Sequence, residues 1–169
     1  MHPLLFVDGY NVIGAWEDLE KHPMPIDQAR DRLCELLEDY AGYTEQEVVL
    51  VFDGHQGSRP TASIEQRHRL TVIFTKHGQT ADQYIEKACG NTPSYREVRV
   101  ATSDHLEQTM ILGRGATRLS SRELWQELKN EKHRQRSKHV THQPADKTPL
   151  FSGLSEEQRQ ALEAIRRQK

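Results

Sequence analysis

Cysteine is nearly absent: Cys34 and Cys89 are the only two in 169 residues. Both fall inside helix-like patterns, which argues against a disulfide scaffold and for two small core side chains in a reducing compartment. The chain also lacks any apolar run near the ~20 residues that a membrane-spanning helix needs. Its first apolar stretch, Leu4 to Val7, has no basic flank and is cut off by Asp8, so it does not read as a signal peptide. A soluble cytoplasmic protein without a membrane partner is expected. Internal repeats and low-complexity tracts are missing too. Hydrophobic residues make up 35% and mean hydropathy is -0.81, low for a compact domain, so part of the chain is expected outside the core.

Charge is balanced overall, at -2, but not along the chain. Residues 1–109 carry 10 Lys+Arg against 18 Asp+Glu, a net -8, and residues 110–169 carry 13 against 7, a net +6. An acidic front suits cations and a basic back suits polyanions, although a charged run also serves simply as solvated surface. The length fits one α/β domain with an appendage. The expected division is one folded α/β domain over 1–130 and, over 131–169, a basic linker with a short last helix.

The organising stretch is Leu4-Leu5-Phe6-Val7-Asp8-Gly9-Tyr10-Asn11. Four apolar residues without alternation suit a strand buried on both faces, and it delivers Asp8 to its carboxyl end. Glu47 to Gly54 repeats the pattern around Asp53, and Glu97 to Asp104 ends a third strand in a carboxylate. Between them the spacing predicts a helix from Ile26 to Tyr40 stopped by Gly42, an exposed loop from His55 to Ser63, and a short edge strand at Leu70 to Phe74. It also predicts a helix capped by Thr80, running to Cys89 and ended by Gly90. Trp16 to Pro25 reads as a short helix or loop. Leu106 to Leu112 reads as a helix stopped at Gly113, Ala116 to Leu119 as a strand, and Ser120 or Ser121 as the cap of a helix carrying Leu124, Trp125 and Leu128. Beyond Lys129 a fraying basic helix is expected, then a polar linker to Pro149 and a small helix after the capping-box spacing at Ser155.

Strands alternating with helices imply an α/β fold with a mostly parallel sheet covered on both faces. Asp8, Asp53 and Asp104 would then gather at strand carboxyl ends, where open α/β sheets bind ligands, with Asp82 and Glu86 facing them from a helix start. Two bare carboxylates ~4 Å apart repel by roughly 4 kcal/mol at an effective dielectric near 20, so either some hold protons or a divalent cation sits among them. All-oxygen donors favour Mg²⁺ or Mn²⁺ over Zn²⁺. The roles assigned are Asp8, Asp82 and Asp104 as metal ligands, Asp53 and Glu86 as orienters of metal-bound water, and Asn11 as a group fixing Asp8 or a phosphate oxygen. Any one of these residues alone is equally at home as a turn or N-cap residue; the five acids together point to a site. Arg59, Arg114, Arg118 and the basic run Lys132, Arg134, Arg136 and Lys138 are candidates for gripping phosphates, although lone surface arginines usually do nothing of the kind. His55, His68 and His105 receive no role.

Val7 to Ile13, Phe52-Asp53-Gly54, Thr80 to Glu86 and Thr102-Ser103-Asp104 resemble the successive motifs of the NYN domain, a relative of the PIN-domain nucleases. The likeness is closer to the YacP-like branch and continues through Glu107-Gln108, Gly113 to Ala116, Arg118 and Ser121 to Leu124. It implies a three-layer α/β/α PIN-like domain, to which the basic residues near the end of the chain add an expected C-terminal helical extension. It also implies a Mg²⁺-dependent endoribonuclease site at Asp8, Asn11, Asp53, Asp82, Glu86 and Asp104, acting on mRNA at the translating ribosome. The competing reading is a non-catalytic RNA or ribosome adaptor that keeps the fold. A haloacid-dehalogenase-like phosphatase ranks last, because Tyr10 stands where that chemistry wants a second Asp.

Overall fold

The computed structural model describes residues 2–54, 62–103 and 115–140. In chain order these form β1 (Leu4–Asp8), α1 (Gly9–Gly14), α2 (Glu17–Lys21), α3 (Ile26–Thr44), β2 (Glu47–Phe52), β3 (Ser63–Arg67) and β4 (Leu70–Phe74). They continue through α4 (Ala81–Asn91), β5 (Val98–Ala101) and β6 (Thr117–Leu119) to α5 (Ser121–Val140). The chain divides into two compact units, Met1–Arg134 and Gln135–Lys169. Of the second, residues 135–140 are described, as the last part of α5. Among the described residues no helix is long and apolar enough to cross a membrane.

The six strands lie in the order β3-β4-β2-β1-β5-β6, all parallel except β3, which runs antiparallel to β4. The unalternating apolar run of β1 is explained by this position: it pairs with β2 on one side and β5 on the other, and its residues feed two cores. Leu5 and Val7 join Leu50, Phe52 and Val72 in the core under α1, α3 and α5, where Leu33, Leu37 and Trp125 also sit. Leu4 and Phe6 join Val51, Ile73 and Val100 in the core under α4, with Ala81 and Ile85. The result is the expected three-layer α/β/α arrangement around a mostly parallel sheet. Because strand side chains alternate faces, Asp8, which follows Phe6 by two, and Asp53, which follows Val51 by two, fall on the α4 side.

Three local expectations are corrected. Leu70–Phe74 is not an edge strand: β3 lies outside it, and β3 carries no periodic signal because Ser-Ile-Glu-Gln-Arg shows no buried face, Ile64 being 70% exposed. Gly42 does not stop α3. The helix runs on to Thr44 because Tyr40 and Ala41 are buried in the core, and it ends where Glu45 turns left-handed at φ 57°. Gly90 likewise lies inside α4, whose C-cap is Thr92, with its N–H on the Cys89 carbonyl. The basic helix expected past Lys129 is present, α5 running on to Val140. The loop expected after His55 falls largely outside the described residues. The helix at Leu106–Leu112 and everything expected beyond residue 140 lie outside them entirely.

Candidate active site

Asp8 ends β1 and is at the same time the N-cap of α1: its backbone is extended, and its carboxylate accepts the Asn11 backbone N–H at 3.3 Å. The sharp exit from the strand depends on Gly9, where a Cβ would lie 2.3 Å from the Phe52 ring. One strand over, Asp53 is held between two backbone latches. The Phe52 carbonyl accepts the Thr75 N–H at 3.0 Å, and the Gly54 N–H donates to the Thr75 hydroxyl at 2.9 Å. That hydroxyl in turn donates to the Gln79 carbonyl at 2.6 Å, joining the end of β4 to the approach of α4. A Cβ on Gly54 would sit 2.1 Å from the Thr75 oxygen, so only glycine lets the two strand ends close this way.

The start of α4 is fixed by a capping box. The Thr80 hydroxyl accepts the Gln83 N–H at 3.2 Å, and the Gln83 side chain accepts the Thr80 N–H at 3.3 Å. Asp82 thus lies in the first helical turn, where the helix dipole favours a negative group. Its carboxylate lies near enough to Asp8 to raise the Asp8 pKa. Burial, above all, pushes the Asp8 carboxyl up from 3.8 to about 7; the Asn11 N–H opposes this, and the Asp82 charge and hydrogen bond and the Asp53 charge add to it. Two of the acids singled out in the sequence, Asp53 and Asp82, are therefore brought within electrostatic reach of Asp8. Glu86 is half-buried one turn further along α4. Asp104 lies outside the described residues, which end at Ser103 on that strand.

Asn11 reaches Asp8 through its backbone and other partners through its side chain. Its backbone holds Asp8, while its side-chain oxygen turns away to accept the Ser103 N–H at 2.9 Å and the Ser121 hydroxyl at 2.7 Å. It ties the end of β5 to the start of α5. Ser121 is fully buried, a role that the sequence pattern, which allows either serine as the cap, does not assign. The distinguishing signal is nonetheless present: Ser120 has a glutamate three residues on, and Ser120 and Glu123 form the capping box, at 3.2 and 2.7 Å. This hydrogen bonding to Ser120 also lowers the Glu123 pKa. With Ser120 taken, Ser121 is left to reach Asn11.

The donor set is oxygen only. Among the described residues no three carboxylate, imidazole or thiol groups converge tightly enough to hold a metal unaided, and the remaining acid of the set, Asp104, is not among them. The chemistry still fits a hard divalent cation, since burial that keeps Asp8 protonated near neutrality is the condition a bound cation relieves. Of the phosphate-gripping candidates, Arg118 on β6 and Lys132, Arg134 and Arg136 on α5 are exposed, with Arg134 3.7 Å from Glu131. Arg59, Arg114 and the Lys138 side chain lie outside what is described. His68 is exposed, 3.5 Å from Glu38; His55 and His105 are outside the described residues.

A parallel α/β sheet with paired acids at its strand ends and a third presented by a helix start is the arrangement of a NYN-type domain. The match is specific: residues 5–167 fit the model of the YacP-like NYN domain, and the chain belongs to that family, whose members are typically nucleases. It is 40% identical over 171 residues to YacP of Bacillus subtilis (strain 168), covering 97% of this chain and 96% of that protein. The crystal structure of Rae1 (YacP) from Bacillus subtilis is similar at a TM-score of 0.66 and 39% identity, over 99% of this chain and 95% of that one. A crystal structure of a mutant of the same Bacillus subtilis protein gives 0.68 at 39% identity, over 82% of this chain and 83% of that one.

Proposed function

We propose that this protein is a divalent-metal-dependent endoribonuclease that hydrolyses RNA phosphodiester bonds, with mRNA on translating ribosomes as its substrate. The observation that carries the reading is the Asp8 carboxyl, pushed up to about 7 beside Asp82 and Asp53 at the carboxyl end of a buried parallel sheet. Perturbed carboxylates clustered at such a crevice mark functional sites. In this reading Asp8, Asp82 and Asp104 hold Mg²⁺ or Mn²⁺, and Asp53 and Glu86 orient water around it. Once bound, the cation supplies Lewis acidity toward a phosphate oxygen and an activated water.

The chain's own residues do the rest. The Asn11 backbone keeps Asp8 aimed, and the Asn11 side chain fixes the backbone at Ser103, immediately before Asp104. Burial and the neighbouring Asp82 make the Asp8 carboxyl the group that holds a proton, and Asp8 and Asp82 are the residues that would hold the cation. Arg118, Lys132, Arg134, Arg136 and Lys138 contact RNA phosphates, so binding falls steeply with salt.

The deciding experiment compares RNA cleavage with Mg²⁺ by the native chain and by the Asp8→Asn, Asp104→Asn double variant, on free RNA and on translating ribosomes. New 5′-phosphate ends made by the native chain and lost in the variant support hydrolysis at the carboxylates. Binding without metal-dependent cleavage in either setting overturns the nuclease and favours an RNA-binding or ribosome adaptor.

A further inference from the structure

On the α3 face of the sheet, across from the carboxylates, a cleft of about 300 Å³ opens between α3, β3 and β4. Its floor is aromatic: Phe74 stacks on Phe52 with ring centroids 5.3 Å apart, and the Tyr10 ring meets Phe52 edge-on at 5.1 Å. Arg30 sits 5.8 Å over the Phe74 ring. Its side chain is only 14% exposed, ion-paired with Asp27 and donating to the Tyr10 hydroxyl at 3.1 Å. A guanidinium locked in this way is a flat, pre-organised surface rather than a free phosphate clamp.

The walls supply polar groups of both kinds. Asp31, exposed on α3, makes no hydrogen bond or ion pair among the described residues. Opposite it, Arg67 and Glu65 of β3 are only loosely paired at 3.4 Å, with side chains 39% and 36% exposed. Among the described residues that line the cleft, carboxylates outnumber guanidiniums, which disfavours a phosphate group. A flat surface, a carboxylate able to accept and an arginine able to donate suit a planar ring with an N–H edge on one side and acceptors on the other. Guanine has both, its N1–H and N2–H₂ facing a carboxylate and its O6 and N7 facing an arginine.

We propose that this cleft is a nucleobase subsite that takes a guanine of the RNA substrate, an inference that rests on the endoribonuclease reading above. Tyr10 supplies the connection. It lies two residues after Asp8 and touches both Arg30 and Phe52, so an RNA strand leaving the carboxylates over the sheet's end crosses Tyr10 to enter the cleft. The cleft then sets base preference beside the cut rather than the cut itself.

The test titrates the full chain in EDTA with guanosine, adenosine, cytidine and uridine 5′-monophosphates and follows backbone amide shifts. Guanosine monophosphate is expected to move the amides of Asp31, Cys34 and Arg67, and to bind about tenfold more tightly than uridine monophosphate, the worth of one paired contact. Asp31→Asn and Arg67→Ala are each expected to abolish that preference while leaving the remaining amide spectrum intact. An equal response to all four nucleotides, shifts confined to the surroundings of Asp8 and Asp82, or a response only to an arginine-rich peptide would overturn the proposal. Metal-dependent RNA cleavage, assayed in parallel, separates the two readings. Cleavage whose base preference is unchanged in Asp31→Asn sinks the cleft and leaves the nuclease. A guanosine response in the cleft without any RNA cleavage sinks the nuclease and leaves a guanine site.

Discussion

The Ser121 hydroxyl donates to the side-chain oxygen of Asn11 at 2.7 Å, across 110 positions of sequence. That oxygen also takes the Ser103 N–H, so one amide group joins α1, the end of β5 and the start of α5. Ser121→Ala removes one of its two donors and leaves a fully buried spot without a hydroxyl, at an expected cost of about 1–2 kcal/mol. If Asn11 aligns the Asp104-bearing strand end, the variant should also lose kcat on RNA at unchanged KM, and Ser121→Thr should restore both. Thermal melting and cleavage kinetics on the three proteins check this; a lower melting temperature with unaltered kcat would reduce Ser121 to a packing residue.

Asp8 predicts how stability responds to pH. Its carboxyl pKa is raised in the folded chain from 3.8 to about 7, so the native state binds this proton more tightly than the unfolded state does. The corresponding stabilisation is complete below the unfolded value, is lost as pH rises toward 7, and changes no further above it. Each pKa unit is worth about 1.4 kcal/mol, which sets an upper bound of roughly 4 kcal/mol across that window. Asp8→Asn should flatten this part of the profile and, without metal, melt higher than the native chain at pH 8. Added Mg²⁺ should raise the native melting temperature and leave the variant unmoved, as differential scanning fluorimetry across pH would show.

How far the site could be read in advance depended on what each residue had to do. Asp8, Asp53 and the start of α4 were legible because buried parallel strands are unbroken apolar runs that stop at their functional ends, and because Thr80 and Gln83 carry the spacing of a capping box. The strand β3 was not. Its stability comes from pairing with β4 rather than from a buried face, and a two-period pattern has nothing to show when Ile64 points to solvent. Gly42 and Gly90 do not end their helices because a mid-helix glycine costs only ~1 kcal/mol, which the burial of Tyr40 and Ala41 outweighs in α3. The Asn11–Ser121 bond is invisible in the sequence because it is a tertiary contact, chosen only once the core they share fixes α1 against α5.

Gly9 and Phe52 form a steric pair at the same strand ends. A methyl group at Gly9 would approach the Phe52 ring to 2.3 Å, and that ring is fully buried between Tyr10 and Phe74. Gly9→Ala is therefore expected to cost about 1–3 kcal/mol through overpacking. Adding Phe52→Leu should recover part of the loss, giving a favourable coupling of roughly 1 kcal/mol in a double-mutant cycle. Urea denaturation of the four proteins measures the coupling directly; strictly additive losses would mean that the Gly9 requirement lies in the backbone and not in the ring.

Far from the carboxylates, Arg99 of β5 grips Glu127 of α5 with two hydrogen bonds, at 2.6 and 3.2 Å, and Glu127 accepts a third from the Tyr40 hydroxyl of α3 at 2.8 Å. Burial and the Glu127 carboxylate both raise the Tyr40 pKa, whereas the hydrogen bond to Glu127, more than any other cause, raises that of Arg99. The Arg99 side chain is only 19% exposed, so Glu127→Ala strands a cation that water reaches poorly. A loss of about 2–4 kcal/mol is expected, larger than that of Tyr40→Phe, which removes one neutral donor and should cost about 1 kcal/mol. Arg99→Met combined with Glu127→Leu should recover most of the loss, because removing both charges also removes the penalty of burying either one. RNA cleavage per folded molecule should stay at the native level in all of these variants, since the cluster joins helices to the sheet without touching the acids. A fall in kcat that does not track melting temperature would place this clamp in communication with the site.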